Sequence, residues 1–120
     1  DSLMKKIQTI MALGLFSAMP ALAEIGYVND AKIDGIITTS NGEYGGCLVH
    51  LTKKTEDTLP NCPRSWVSLS CSGYFATKSD ARFLLETAQL AYALEKTVQI
   101  RINDAKKHNS YCFADFIYAK

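Results

Sequence analysis

The sequence predicts a mainly β domain with one long helix, in which the elements follow the order β-β-β-α-β-β. Two observations lead to this class. Four short segments alternate apolar and polar side chains, which is the period of a half-buried strand, and a fifth carries bulky side chains on both faces. Between the third and fourth segments, a stretch of about twenty residues repeats its apolar side chains with helical spacing instead.

An apolar leader precedes the predicted domain. Met4-Lys5-Lys6 is followed by an apolar run and then by Ala21-Leu22-Ala23, which has small residues where a signal peptidase reads them. The run is too short to span a bilayer, and Pro20 interrupts it. This pattern is typical of a secretory signal peptide, with cleavage expected before Glu24.

The predicted organisation follows from this leader. We interpret residues 1–3 as a cloning remnant, residues 4–23 as the signal peptide and residues 24–120 as a single exported domain. Its destination is the periplasm or the extracellular medium, and the mature form is expected to have no membrane span. An oxidising compartment also predicts that the four cysteines form disulfides.

The charge of the domain is balanced. The chain has 13 basic and 12 acidic residues, and because Asp1, Lys5 and Lys6 precede the domain, it retains eleven of each. A nucleic-acid binder would carry a basic excess, so we expect no nucleic-acid partner. Near-zero net charge is compatible with self-association.

The first half of the domain contains three predicted strands. Residues 24–32 are interpreted as an irregular lead-in, and residues 33–39 as the first strand. A turn at Asn41-Gly42 leads to the second strand, residues 47–52, because this dipeptide accepts positive φ easily.

The loop between Lys53 and Arg64 contains two prolines and is long for a hairpin, which predicts that it is either functional or mobile. The third strand covers residues 65–71.

The predicted helix begins at Thr77 or Ser79 and runs to about Lys96. Thr77 with Asp80 resembles a capping box. The polar stripe of the helix is narrow, and the rest of its surface is apolar. This apolar surface is wider than a helix needs in order to pack on a single sheet. The pattern predicts that this helix is covered on a second side.

Two further strands follow the helix. The fourth, residues 97–103, alternates cleanly, with Val98, Ile100 and Ile102 expected to point inward. Residues 104–110 are interpreted as a charged turn. The fifth strand, residues 111–118, carries bulky side chains on both faces, which again predicts burial on two sides.

The order of these elements is that of the OB-fold, a five-stranded Greek-key barrel with its helix between strands three and four. The alternative is an open antiparallel sheet packed on one helix. In the barrel, strand two is antiparallel to strand three and strand five is parallel to it. Of three pairings, this topology selects Cys47–Cys71 and Cys62–Cys112.

No motif of catalytic or metal-binding proteins occurs. A nucleophile elbow, a zinc-protease helix and a phosphate loop are all missing from the sequence, and the cysteines are too widely spaced for a typical zinc site. His50 and His108 are interpreted as solvated surface residues. We therefore expect no enzyme, no catalytic residue, no metal and no cofactor.

Aromatic side chains beside polar ones are the most usable functional signal. Tyr44 lies with Asn41 and Glu43 in the first turn, and Tyr74 with Phe75 follows the third strand. Such groups can stack on a sugar ring and bind its hydroxyls, and OB-folds bind oligosaccharides at their loops. The alternative is that these rings plug the ends of the barrel.

Two resemblances bear on function. The segments WVSLSC from Trp66, TAQLAYAL from Thr87 and KKHNSYCFA from Lys106 resemble a family of small secreted proteins of marine gammaproteobacteria, common in vibrios, to which no activity is assigned. The architecture also resembles the B subunits of pentameric bacterial toxins. That resemblance implies an OB-fold that binds host glycans and lines a pore with its helices, but none of its binding motifs is matched here.

The sequence therefore predicts an exported, non-enzymatic binding domain, glycan-binding and oligomeric like a toxin B subunit. Self-association is expected through the helix between Ala81 and Leu94 and the strand between Tyr111 and Tyr118, and the partner is a glycan or a protein. The alternative is a periplasmic or envelope accessory or inhibitor protein without a small ligand.

Overall fold

The computed structural model describes Leu22 and residues 24–120. Except for Leu22, the predicted cloning remnant and signal peptide lie outside the described residues. The elements of the domain are β1 (Ile25–Thr38), β2 (Cys47–Leu51), β3 (Trp66–Ser68), α1 (Lys78–Ala93), β4 (Thr97–His108) and β5 (Tyr111–Ala119). The predicted class, mainly β with one long helix, is confirmed.

The five strands form one sheet whose pairings close on themselves. β2 pairs antiparallel with β1 and β3, and β4 pairs antiparallel with β1 and β5. β3 and β5 are parallel, with Val67 opposite Cys112. The strand order is therefore β1-β2-β3-β5-β4, with β4 next to β1 again.

The core fills the inside of this sheet. Val98, Ile100 and Ile102 of β4 are completely buried, as their alternation predicts. Branched side chains of β2 and β3, such as Val49 and Val67, meet them there. Burial of each such side chain stabilises the fold by about 1.5–3 kcal/mol, so this cluster is a main source of its stability.

Helix α1 contacts the core with a narrow face. Its N-cap is Thr77, whose Oγ1 accepts a hydrogen bond from the N–H of Asp80 at 3.0 Å. Only small side chains, including Ala88 and Ala91, are fully buried. The expected cover on a second side is not provided by the described chain, because Phe83 and Leu90 are 64% and 57% exposed. No helix among the described residues is both long and apolar enough to cross a membrane.

The predicted irregular lead-in is wrong, because β1 begins at Ile25 and already pairs with β4 there. The register shifts between Val28 and Ala31, and Asp30 has a φ of 53°. This bulge inserts residues that interrupt the alternation of period two, which hides the strand in the sequence.

The predicted charged turn at residues 104–110 is also wrong. β4 continues to His108, where it pairs with Tyr111, and only Asn109 and Ser110 form the turn, both with positive φ. Another register shift, between Asn103 and Lys107, breaks the alternation in this half of the strand. The β4–β5 hairpin is therefore longer than predicted.

The third strand is shorter than predicted. Ser65 and Ser70 have φ values of 60° and 59°, outside the extended region, so the ladder ends on both sides of Trp66–Ser68. The preceding loop between Lys53 and Arg64 is packed: Thr55 and Leu59 are buried. Helix α1 also stops at Ala93 and not near Lys96.

Two disulfides connect the elements. Cys47 is bonded to Cys71, and Cys62 to Cys112, which is the pairing expected from the strand order. The first joins the start of β2 to the segment after β3. The second fixes the 53–64 loop to the start of β5, so both bonds link segments far apart in the sequence.

Candidate functional site

Three loops meet at one end of the sheet, and we call this region the loop pole. It consists of residues 39–46 between β1 and β2, residues 69–77 between β3 and α1, and residues 108–110, which are the last residue of β4 and the turn of the β4–β5 hairpin. The Cys47–Cys71 disulfide lies at the base of the first two loops. The chain returns to this region three times, so side chains distant in sequence become neighbours.

The first loop is fixed by hydrogen bonds to the other two. The N–H of Tyr44 donates to Oδ1 of Asn109 at 3.1 Å, and Oγ of Ser68 donates to the carbonyl oxygen of Tyr44 at 2.7 Å. The N–H of Ser72 donates to the carbonyl oxygen of Gly45 at 2.9 Å. Tyr44 has a φ of 56°, a left-handed conformation that these bonds hold in place.

His108 lies at the centre of the loop pole. Its Nε2 is 3.0 Å from Oγ of Ser70, which also accepts a hydrogen bond from the N–H of Phe75 at 2.9 Å. Because a hydroxyl has two acceptor lone pairs, Oγ of Ser70 can either donate to an unprotonated Nε2 or accept a further hydrogen bond from a protonated one. Burial lowers the pKa of His108, which favours the neutral imidazole.

This serine–histidine pair is a structural brace and not a nucleophilic site. Ser70 is completely buried, and both of its hydrogen bonds are made within the chain, so no substrate carbonyl can reach Oγ. Among the described residues, no group of three or more His, Cys, Asp and Glu side chains is placed to hold a metal ion.

Aromatic rings surround His108. The ring of Phe75 is 4.7 Å from the imidazole and that of Tyr74 is 5.7 Å from it, centroid to centroid. Tyr74 and Phe75 contact each other edge to face at 4.7 Å. Phe75 is half-buried, whereas Tyr74 is 76% exposed. An exposed aromatic ring on a fixed base is a surface on which a planar or cyclic ligand can stack.

The five predicted ligand residues divide into two groups. Tyr74, Phe75 and the backbone of Tyr44 lie around the histidine brace, and the ring of Tyr44 packs on Tyr111 at 5.7 Å. Asn41 and Glu43 bond to each other at the tip of the first loop, with Nδ2 of Asn41 donating to Oε1 of Glu43 at 2.7 Å. Their polar groups are therefore partly satisfied by each other.

A cleft of about 460 Å³ continues from Phe75 between α1 and β5, and we call it cleft A. Phe75, Phe83, Leu84 and Phe113 supply apolar walls. Asp80 and Asp115 supply negative charge, and Lys106 supplies positive charge. Its volume lies within the range of small-molecule sites. Phe75 belongs to both regions, so cleft A and the loop pole form one continuous surface.

Sequence reasoning missed the residues that organise the site: Ser70, His108 and Asn109. The segment around His108 is typical of a charged turn, which predicts a solvated imidazole. The signal that could have found it is topological. In the predicted barrel the β1–β2 loop and the β4–β5 turn lie at the same end, which brings Tyr44 close to the residues of that turn.

Comparison of the chain with models of known protein families, with characterised proteins and with solved structures gives no match.

Proposed function

We propose that this chain is an exported, non-enzymatic binding domain with an OB-like barrel, and that its loop pole binds carbohydrate. The helix between β3 and β4 and the strand order β1-β2-β3-β5-β4 support the OB-like assignment. Two disulfides support export, since such bonds persist mainly in oxidising compartments. OB-folds bind oligosaccharides at the loops that meet here.

The observation that carries the proposal is the placement of Tyr74. Its ring is 76% exposed, yet Phe75 and His108 contact it on a base fixed by Ser70 and a disulfide. A ring held in this way loses little conformational entropy when a ligand stacks on it. Tyr74 is therefore the expected contact for the apolar face of a sugar, and cleft A is the expected extension of the site.

A glycan array probed with the oxidised protein tests this site. We expect defined hits that the Tyr74→Ala variant loses and the Tyr92→Ala variant retains. Tyr92 is a suitable control because it is 48% exposed and lies on α1, outside the loop pole. An array without hits, or hits that survive Tyr74→Ala, contradict carbohydrate binding at the loop pole.

We also propose self-association like that of a toxin B subunit, with α1 in the interface. Phe83, Leu90 and Leu94 are each more than half exposed and recur at spacings of seven and four residues, which places them on one side of the helix. A stripe of this kind, opposite the core, is typical of helix packing between chains. Sedimentation velocity tests this: Leu90→Glu is expected to dissociate the oligomer, whereas Gln89→Glu leaves it intact.

The same stripe favours the second candidate, a periplasmic or envelope accessory or inhibitor protein. In that case a different protein covers the apolar stripe of α1. The oxidised chain is then expected to sediment as a monomer, with or without the Leu90→Glu substitution. Co-purification of a defined envelope protein that Leu90→Glu abolishes, together with an empty glycan array, supports this candidate over the first.

A further inference from the structure

A second cleft, cleft B, lies away from the loop pole. It has a volume of about 620 Å³ and is formed where the 53–64 loop packs beside β1. From β1 it is lined by Tyr27, Val28 and Asn29, and from the loop by Lys53, Lys54, Asp57 and Thr58. None of these residues belongs to the site proposed above, so cleft B requires its own explanation.

The loop that forms one wall has a fixed shape. Oγ1 of the buried Thr55 donates to the carbonyl oxygen of Cys62 at 2.6 Å and accepts from the N–H of Ser65 at 3.1 Å, which ties the two ends of the loop together. The N–H of Arg64 donates to Oε2 of Glu56 at 3.1 Å. The Cys62–Cys112 disulfide then anchors the loop to β5. Lys53 and Lys54 are therefore presented from a rigid base.

The contact between this loop and β1 depends on a glycine. A Cβ at Gly26 would lie 2.7 Å from Cγ2 of Thr58 and 3.3 Å from Cγ of Leu59, distances that a larger residue could not keep without displacing the loop. Leu59 is 4% exposed and packs in the core. The close approach at Gly26 sets the position of the loop wall relative to Tyr27 and Asn29.

The lining of cleft B combines positive charge, an aromatic ring and polar groups. Two lysines face one carboxylate, that of Asp57, so the lining has an excess of one positive charge. Tyr27 is 43% exposed, and its hydroxyl accepts from Nη1 of Arg101 at 3.4 Å. Oδ1 of Asn29 accepts from Nε2 of Gln99 at 2.7 Å, which fixes the amide, and its Nδ2 group, which makes no hydrogen bond within the part of the chain that the structure describes, can donate to a ligand.

We propose that cleft B binds a sugar that carries a carboxylate. Lys53 and Lys54 pair with the carboxylate, the ring of Tyr27 lies against the sugar, and Asn29 and Asp57 bond its hydroxyls. Charge complementarity favours an anionic ligand. The ring of Tyr27 and the fixed amide of Asn29 favour a cyclic anion with hydroxyl groups over a simple inorganic ion. The volume is within the range of small-ligand sites.

This inference extends the proposed binding function to a second surface and rests on the proposed export of the domain to reach such sugars. The two sites share no residue, since Tyr74 and Phe75 do not line cleft B. A result at one site is therefore distinguishable from a result at the other.

The test is an NMR titration of the ¹⁵N-labelled oxidised protein at low salt. Three probes are used. Methyl β-glucuronide carries the carboxylate, methyl β-glucoside differs from it mainly in lacking the carboxylate, and inorganic sulfate has charge without a ring. We expect the glucuronide to shift amide signals of Tyr27, Asn29 and Lys54 at an affinity about tenfold above that of the glucoside, as one charge-assisted contact provides.

Variants separate the lysines of cleft B from general charge. Lys53→Ala/Lys54→Ala is expected to reduce glucuronide affinity about tenfold or more, as the loss of charge-assisted contacts predicts. Arg82→Ala/Lys96→Ala removes the same charge from two exposed residues that line neither cleft, and it is expected to leave the affinity unchanged. Tyr27→Ala is expected to weaken the glucuronide but not sulfate. Unfolding curves of all variants establish that they are folded.

Three results overturn the proposal. Equal shifts with glucuronide and glucoside would remove the role of the lysines, and sulfate binding as strongly as glucuronide would reduce cleft B to an anion site. Shifts confined to the loop pole would place any sugar there and leave cleft B empty, which supports the proposed function while refuting this inference.

Discussion

Nε2 of His108 lies 3.0 Å from Oγ of the buried Ser70, and this pair joins the β4–β5 turn to the loop after β3. Burial lowers the pKa of His108, which favours the neutral imidazole, and Oγ of Ser70 also accepts a hydrogen bond from the N–H of Phe75. The loop pole therefore depends on the protonation state of one side chain.

The first prediction concerns pH. Burial lowers the pKa of His108 below its usual value of 6.5, so between the folded and unfolded pKa values the unfolded chain binds more protons. Stability conferred by neutral His108 is complete above about pH 6.5, falls as the pH drops below that value and stops falling below the folded pKa. Urea unfolding between pH 5 and pH 8 measures this, and the His108→Asn variant is expected to lack this contribution. An identical pH dependence in both proteins contradicts the assignment.

The second prediction uses two glycines of the first loop. Gly45 has a φ of 75°, and a Cβ there would overlap the His108 ring and Oγ of Ser68. Gly45→Ala is therefore expected to destabilise the fold by more than about 3 kcal/mol, from strain and overlap together. Gly42 has a φ of 82° with open space around it, so Gly42→Ala is expected to cost only about 1–2 kcal/mol. Equal losses in denaturant unfolding would show that the His108 contact does not constrain Gly45.

The third prediction concerns the order in which the disulfides are reduced. Cys62 and Cys112 are both fully buried, whereas Cys71 is only partly buried. A thiolate of a dithiol can attack Sγ of Cys71, forming a mixed disulfide and releasing the Cys47 thiolate. The second thiol then closes the ring of the reagent and releases the Cys71 thiolate, so this bond is expected to be reduced first. Alkylation of free thiols during a dithiothreitol series, followed by peptide mass mapping, measures the order. Early labelling of Cys62 or Cys112 contradicts it.

Loss of either disulfide is also expected to be costly. Cys62→Ala/Cys112→Ala opens a link with a sequence separation of 50, and Cys47→Ala/Cys71→Ala one of 24. Each double variant is expected to lose about 2–5 kcal/mol, with the longer link losing slightly more on the chain-entropy model. Thermal unfolding of both variants provides the comparison, and a variant with unchanged stability argues against that bond as a stabilising link.

The fifth prediction concerns Thr55, which organises the 53–64 loop. Thr55→Val keeps the shape of the side chain but leaves the carbonyl oxygen of Cys62 and the N–H of Ser65 without this partner, at an expected cost of about 2 kcal/mol. Thr87→Val is the matched control, because Oγ1 of Thr87 donates only to the carbonyl oxygen of Phe83, which already accepts a hydrogen bond within the helix. The expected loss of stability is about 0.5 kcal/mol or less. Equal costs in urea unfolding would contradict the role of Thr55.

The sequence predicts elements best where the alternation is uninterrupted. Residues 97–103 keep the period of two, and Val98, Ile100 and Ile102 are buried as expected. The ends of β1 and β4 were missed because register shifts after Val28 and after Asn103 change which face each residue takes. A bulge is fixed by pairing with another strand, so a single segment does not reveal it.

The candidate site was predicted only in part, for a related reason. Exposed aromatic residues beside polar ones can be recognised locally, and Tyr74 with Phe75 was found in this way. The brace of Ser70 and His108 involves residues 38 positions apart, and neither is unusual in its own segment. Cleft B could not be predicted from the sequence for the same reason, because it depends on contact between the 53–64 loop and Gly26, which are distant in the chain.

Local patterns by themselves determined the class of this protein: five strands and one helix, with cysteines placed for two disulfides. They could do so because the period of apolar residues and the capping of a helix depend on near neighbours in the chain. Only the tertiary structure decided which loops meet, that His108 contacts the buried Ser70 in the loop pole, and that Lys53 and Lys54 share a cleft with Tyr27. These relationships arise when strand pairing brings distant residues into contact. The interaction energies depend on interatomic distances and on burial, which are set by the tertiary structure and not by any single segment.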